Sequence, residues 1–402
     1  MIYWILHKKL TKKDFENSLE GKPSYFYGRF GNFCFVDISN FSLFGKIENR
    51  LLRISKTNFQ EFGIDSNKYI FIDSKKDFYK KIILKSTNTK NDIFVFQSYN
   101  NIRIKQFYKL LTKENKQTLL LNHWQLPIAE KYHNKKNLSF LKKLFTFDKK
   151  ILFLRFLYRF YHFDSKKFSF NFDYSFSSGN KMIEDLKKAN VFIKKVIPVH
   201  SISFDEFLSS NVNNTELVKE PYFVFINQAL TIHPDNRGLS QFTEQYKNEI
   251  ISTLNFISKQ NSNIKIAIAE HPRCHFEKGF WNSFNCYQGK TAELIKNAKA
   301  VIGHFSTALN LSLFYKKKLF LLTSTSKYFP FDKNVTNAFN LLGGTLIDMH
   351  SCKNLKEKEN SEIELTDYFT LLPESKENNL ALFSNFLSLY DKKKYKIPFD
   401  QK

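Results

Sequence analysis

The sequence predicts an α/β protein of two Rossmann-like domains facing a cleft, with a C-terminal helix placed to cross back to the first domain. Three observations carry that reading. Short apolar runs alternate with amphipathic stretches along both halves of the 402 residues, as in parallel sheets covered by helices on both faces. A polar stretch from Ser209 to Thr215 breaks the alternation near the middle and reads as a linker. The run from Ile264 to Thr323 reads as strand, helix and strand, and both strands end in polar residues, where open parallel sheets bind ligands. The boundaries that follow are 1–208 for the first domain, 209–220 for the linker, 221–377 for the second domain, and 378–402 for the C-terminal helix and tail.

In the first domain the predicted strands are Tyr3 to Leu6, Cys34 to Ile38, Tyr69 to Ile72, Ile93 to Gln97 and Thr118 to Leu121. The loop Asn122-His123-Trp124-Gln125-Leu126-Pro127 follows a strand, which places His123 at a carboxyl end. Residues 135–171 interleave lysine and arginine with aromatics, the pattern of a basic amphipathic segment drawn to anionic headgroups. The same pattern also suits a cationic helix whose aromatic face is core. In the second domain a strand from Tyr222 to Asn227 leads into Gln228-Ala229-Leu230-Thr231-Ile232-His233-Pro234-Asp235-Asn236-Arg237-Gly238. A helix from Thr243 to Lys259 follows, then the unit from Ile264 to Thr323. Residues 352–366 are charged and read as a loop, and Asn378 to Tyr390 reads as a helix.

Composition sets wide limits. A 42% hydrophobic content supports folded cores, and the formal net charge of +24 points to anionic partners or to the codon bias that also enriches Asn, Phe, Ile and Tyr. No nucleic-acid-binding motif accompanies the charge, so no nucleic-acid partner is expected. The four cysteines show no paired spacing and imply reduced thiols. No run reaches the roughly 18 apolar residues a spanning helix needs, and the N-terminus lacks a signal-peptide pattern. The expected location is the cytoplasm, at the inner membrane face if residues 135–171 bind lipid.

The chemistry-bearing residues sit at the predicted strand ends. Ser306 and Thr307 turn a strand into a helix, where N–H groups and hydroxyls converge on an anion or simply cap the helix. His271 and Pro272 end the neighbouring strand and suit a nucleotide. Arg273, Lys290 and His304 are close enough in sequence to help meet phosphate charge, and Glu293 could accept from ribose hydroxyls. No Asp-x-Asp occurs, so a divalent cation held by such a pair is disfavoured, and neither a metal nor a cofactor is expected. A transfer to a hydroxyl acceptor needs a base, for which Asp235, His233 and His123 are the candidates. Asp235 also fits a plain turn before Asn and Gly.

His271-Pro272, followed by Ser306-Thr307, resembles the His-Pro and Ser-Ser/Thr motifs of bacterial sialyltransferases and related GT-B enzymes that use CMP-activated nonulosonic acids or Kdo. The surrounding run, over residues 222–325, is also similar to that of surface-polysaccharide glycosyltransferases. The resemblance implies a GT-B fold, His-Pro on the nucleotide and Ser-Thr on its phosphate. It further implies inverting transfer from a nucleotide-sugar donor to a lipooligosaccharide, capsule or other surface glycan, with a first domain that takes the acceptor. The acidic pair followed by glycine that carries the base in such sialyltransferases is missing here. Transfer of a polyol phosphate from a CDP-linked donor, and a noncatalytic polysaccharide-assembly role, remain open alternatives.

Overall fold

The structure is a computed structural model that describes residues 1–7, 33–41, 46, 58–84, 92–97, 99, 102–122, 168–212, 217–233, 236, 238–271, 276–277, 279–281, 284–326 and 328–391. The chain forms two compact units. Of the described residues, the first unit holds those up to His200 and those from Thr370 onward, and the second holds those of Ser201–Phe369.

Among the described residues the first unit forms a seven-stranded sheet whose strands are all parallel. In chain order its strands are β1 (Ile2–Leu6), β2 (Phe33–Asp37), β3 (Tyr69–Phe71), β4 (Ile93–Phe96), β5 (Gln117–Asn122), β6 (Phe170–Ser177) and β7 (Val191–Pro198). They lie in the order β3-β2-β1-β4-β5-β6-β7. Near-continuous apolar strands such as Phe-Cys-Phe-Val and Ile-Phe-Val-Phe suit a sheet covered on both faces. Alternation along β1 sorts the two cores: Tyr3 and Ile5 join Phe94, Phe107 and Leu111 on one face, while Trp4 and Leu6 join Phe35, Phe59 and Phe176 on the other. Helices α1 (Lys75–Phe78), α2 (Ile102–Lys113) and α3 (Asn180–Lys188) connect the strands.

As the sequence predicts, the C-terminal helix returns to this unit. Helix α10 (Asn379–Asp391) seats Phe383 and Phe386 in the second core, with ring centroids 4.5 and 5.2 Å from that of Phe176. The return is fastened at His200, which is fully buried. Its Nε2–H donates to the Glu377 carbonyl at 3.0 Å and its Nδ1 accepts from Thr370 Oγ1 at 2.6 Å, while Asn379 bonds its backbone in both directions.

The second unit carries another seven-stranded sheet, made of β8 (Tyr222–Ile226), β9 (Lys265–Glu270), β10 (Asn285–Gln288), β11 (Ala300–Gly303), β12 (Lys318–Thr323), β13 (Gly344–Asp348) and β14 (Lys353–Lys358). The order is β10-β9-β8-β11-β12-β13-β14, and among the described strands β14 alone is antiparallel. Around it lie α4 (Ile202–Val212), α5 (Thr243–Gln260), α6 (Thr291–Asn297), α7 (Asn310–Phe314), α8 (Asp332–Leu342) and α9 (Leu365–Tyr368). Two sequence readings change. Residues 353–358 form an edge strand, not a loop: all six side chains are exposed, so no apolar alternation betrays it, and its charges protect the sheet edge. The polar stretch at 209–212 ends α4, where Ser210 Oγ bonds the Tyr315 hydroxyl at 2.6 Å and the Phe207 carbonyl at 3.0 Å.

Among the described residues no helix is long and apolar enough to cross a membrane. The segment 135–171 lies outside the described residues except for its last four.

Replacing Phe383 by Ala should destabilise the first unit by about 3–5 kcal/mol, the usual cost of deleting a buried ring. Urea unfolding checks this, and an unchanged midpoint would show that α10 is not part of that core.

Candidate functional site

In the second sheet β8 pairs with β9 on one side and β11 on the other. The chain therefore reverses its direction of winding between β8 and β11, and parallel sheets open a crevice at the carboxyl ends of such a pair. The loops there are 227–233, 304–307 and, after β9, His271.

The first loop is bent by its own side chain. Asn227 Oδ1 accepts from the Ala229 N–H at 2.8 Å, and Ala229 sits in the left-handed region at φ 49°, which non-glycine residues seldom occupy. The turn continues with His233 N–H donating to the Ala229 carbonyl at 2.8 Å. It brings the His233 ring edge-to-face against His271, with centroids 5.1 Å apart. Two imidazoles 38 positions apart in sequence thus meet beside the switch point.

The second loop follows β11. Ser306 Oγ accepts from the Ala308 N–H at 3.2 Å, an N-cap that starts the turn at Thr307–Leu309 leading into α7, and Thr307 is exposed. The two loops are joined directly: Phe305 N–H donates to Gln228 Oε1 at 2.9 Å. From below, Ser203 of α4 donates to the Thr307 carbonyl at 3.4 Å.

His304 belongs to the support, not to the phosphate-contacting set in which the sequence placed it. It is fully buried, its Nδ1–H donates to the Leu322 carbonyl at 2.7 Å, and its Nε2 accepts from the Tyr246 hydroxyl at 3.1 Å. Both ring nitrogens are occupied, and burial lowers its pKa to about 4, opposed only in part by the Leu322 bond. The ring is a neutral wedge between α5, β12 and the loop.

One turn further along α5, Glu249 does the same for the next two strands. Its Oε2 accepts from Ser324 Oγ and the Tyr328 hydroxyl, each at 2.8 Å. Its Oε1 accepts from Ser326 Oγ at 2.6 Å and from His350 Nδ1 at 3.3 Å. Burial pushes this carboxyl up, but the bonds from Ser326, Tyr328, Ser324 and His350 outweigh burial and hold it below the ordinary carboxylate range. Asp348 at the end of β13 completes the stitching with bonds from Thr325 N, Thr325 Oγ1 and Ser351 Oγ at 2.9, 3.2 and 2.7 Å.

The structure brings His233, His271, Ser306 and Thr307 to the carboxyl ends of adjacent strands. Glu293, in the first turn of α6, is half-buried and accepts from Lys290 Nζ at 3.2 Å. It also lies close enough to α4 that, after burial and Asp205, it helps raise Glu206 to about 7. Pro272, Arg273, Asp235 and His123 lie outside the described residues. Among those residues no cluster of three or more His, Cys, Asp or Glu could hold a metal ion. The sequence reading missed Gln228, Tyr246, Glu249, Ser326 and His350. The only local signal for them is the three-residue spacing of Tyr246 and Glu249, which puts both on one helix face.

No protein-family model and no curated protein matches this chain. Solved structures that align include a putative UDP-N-acetylglucosamine 2-epimerase from Listeria monocytogenes, at 10% identity and TM-score 0.40 over 100% of this chain and 98% of that one. The UDP-GlcNAc 2-epimerase from Methanocaldococcus jannaschii aligns at 10% identity and TM-score 0.40, over 96% and 99%. The wall teichoic acid polymerase TagF aligns at 10% and 0.40, over 98% and 88%.

Because the folded pKa values of His304 and His200 are depressed to about 4 from an ordinary 6.5, the unfolded chain binds more protons between those limits. Stability should be fully present above about pH 6.5 and fall as the pH drops to about 4. His304→Asn should flatten this dependence. Melting temperature against pH checks it, and an equal slope in both proteins would contradict a neutral, buried His304.

Proposed function

We propose that the chain is a metal-independent, inverting glycosyltransferase of GT-B type. In this reading the second unit binds a nucleotide-activated sugar at the β8/β11 switch point and transfers it to a surface glycan or lipid-linked acceptor. One observation carries the reading: the Ser306–Thr307 turn and the paired imidazoles of His233 and His271 lie at the carboxyl ends of adjacent strands, and the loops after β8 and β11 are tied together through Gln228.

The physical logic is that of a leaving group. As the bond from the anomeric carbon to the nucleotide phosphate breaks, negative charge grows on the phosphate oxygens, and donors already fixed in place stabilise it without reorganisation. Ser306 Oγ uses a lone pair as the cap and keeps its hydroxyl hydrogen for a phosphate. Thr307 offers a second hydroxyl. His271 and Pro272 contact the nucleoside, and Arg273 and Lys290 add positive charge. Glu293 gives Oε1 to Lys290 and would accept from the ribose hydroxyls with its remaining lone pairs. The donor favoured by the motif resemblance is a CMP-activated nonulosonic acid or CMP-Kdo, with lipooligosaccharide or capsule as the acceptor. The sequence offers His233, Asp235 and His123 as bases, and residues 135–171 as a route to an anionic membrane surface. A CDP-linked polyol-phosphate donor would use the same phosphate contacts, so the assay must include it.

Purified protein offered CMP-, CDP-, UDP- and GDP-linked donors should bind and consume a CMP-linked one in preference. Ser306→Ala combined with Thr307→Ala should weaken nucleotide binding about 10-fold or more, the range for losing hydrogen bonds to a charged group, while the protein stays folded. No binding or turnover of any donor would remove the enzyme reading. Full wild-type activity in the double variant would remove the phosphate assignment.

A further inference from the structure

We infer that His350 is the general base of this site, with Glu249 as the carboxylate that orients it; the inference rests on the glycosyl-transfer reading above. Ser326 Oγ donates its only hydrogen to Glu249 Oε1 at 2.6 Å, so in its 3.2 Å contact with His350 Nδ1 it can only accept. Nδ1 must therefore carry the hydrogen, which it shares between Ser326 Oγ and Glu249 Oε1 at 3.3 Å. In the neutral ring the lone pair is then on Nε2. The Glu249 side chain is 11% exposed and that of His350 61% exposed, so a buried anion holds the inner nitrogen while the outer one faces solvent. A base held by a third group in this way is the general arrangement for activating a hydroxyl.

Position supports the assignment. His350 follows β13, two strands across from β11, and two inter-strand spacings are about 10 Å. An in-line transfer needs the base, the acceptor oxygen, the anomeric carbon and the leaving phosphate in succession, a span of comparable length. The step balances. The acceptor O–H proton passes to His350 Nε2, and the acceptor oxygen forms the new bond to the anomeric carbon. The bond from that carbon to the phosphate oxygen breaks, and its electron pair leaves with the nucleotide. The imidazolium so formed lies against the ionised Glu249. Among the described residues, the other titratable groups bonded to this pair or beside it are Asp348 at the end of β13 and Tyr328 in the loop after β12.

The test compares wild type with His350→Ala on whichever CMP-, CDP-, UDP- or GDP-linked donor the wild type consumes, measuring turnover and, separately, binding of the free nucleotide. Turnover should fall 100-fold or more, the usual contribution of general-base catalysis, with nucleotide affinity unchanged within about 2-fold. Added imidazole should restore part of the lost rate. Turnover within about 3-fold of wild type would overturn the role of His350 while leaving the glycosyl-transfer reading intact. A wild type that consumes no donor would overturn that reading, and the proposed base with it. Nitrogen NMR of the wild type adds an independent check: the Nδ1–H tautomer supports the assignment and the Nε2–H tautomer contradicts it.

Discussion

Three of the loops at the carboxyl end of the second sheet hang from one face of α5. Tyr246 reaches the loop after β11 through His304, and Glu249, one turn on, gathers the loops after β12 and β13 through Ser324, Ser326, Tyr328 and His350. The constraint is hydrogen-bond satisfaction. A polar group withdrawn from water and left without a partner costs about 1–3 kcal/mol, and more if it is charged. Tyr246 and His304 are wholly buried and Glu249 is nearly so, which makes any displacement of these loops relative to α5 expensive. A site that must meet developing charge without rearranging needs this kind of anchorage.

The same accounting separates two loops that look alike in composition. Both the β11 and β12 ends carry serine and threonine. After β12, the Ser324 and Ser326 hydroxyls are donated to Glu249, and the Thr325 hydroxyl to Asp348, so that loop is internally neutralised. After β11, Ser306 accepts from a backbone N–H, so its hydroxyl hydrogen is not spent on the cap, and Thr307 is exposed. Hydroxyls already given to carboxylates are poor phosphate ligands. This contrast favours 306–307 as the anion contact and leaves the 324–326 loop to carry the framework around His350.

The sequence made the two-sheet architecture legible where burial is two-sided: Tyr-Phe-Val-Phe-Ile, Ala-Val-Ile-Gly and Leu-Phe-Leu-Leu are short apolar runs, bounded by polar or turn residues, of the kind that covered parallel strands show. It concealed β14, whose solvated charges look like those of a loop. Ser306 was readable because an N-cap is a local pattern. His304 misled because nothing local tells a histidine that turns inward to Leu322 from one that turns outward to a ligand. Glu249 and His350 were invisible for another reason: they are 101 positions apart, and their pairing arises only when α5 crosses the ends of β12 and β13.

The central claim is that the β8/β11 switch point of the second unit receives the nucleotide, although the first unit has an equivalent switch point between β1 and β4. Amide and histidine-ring NMR shifts on titration with CMP test this most directly. The largest changes should fall on Gly303–Thr307 and the His271 ring. Changes confined to the residues that follow β1 and β4, with the second unit silent, would contradict it.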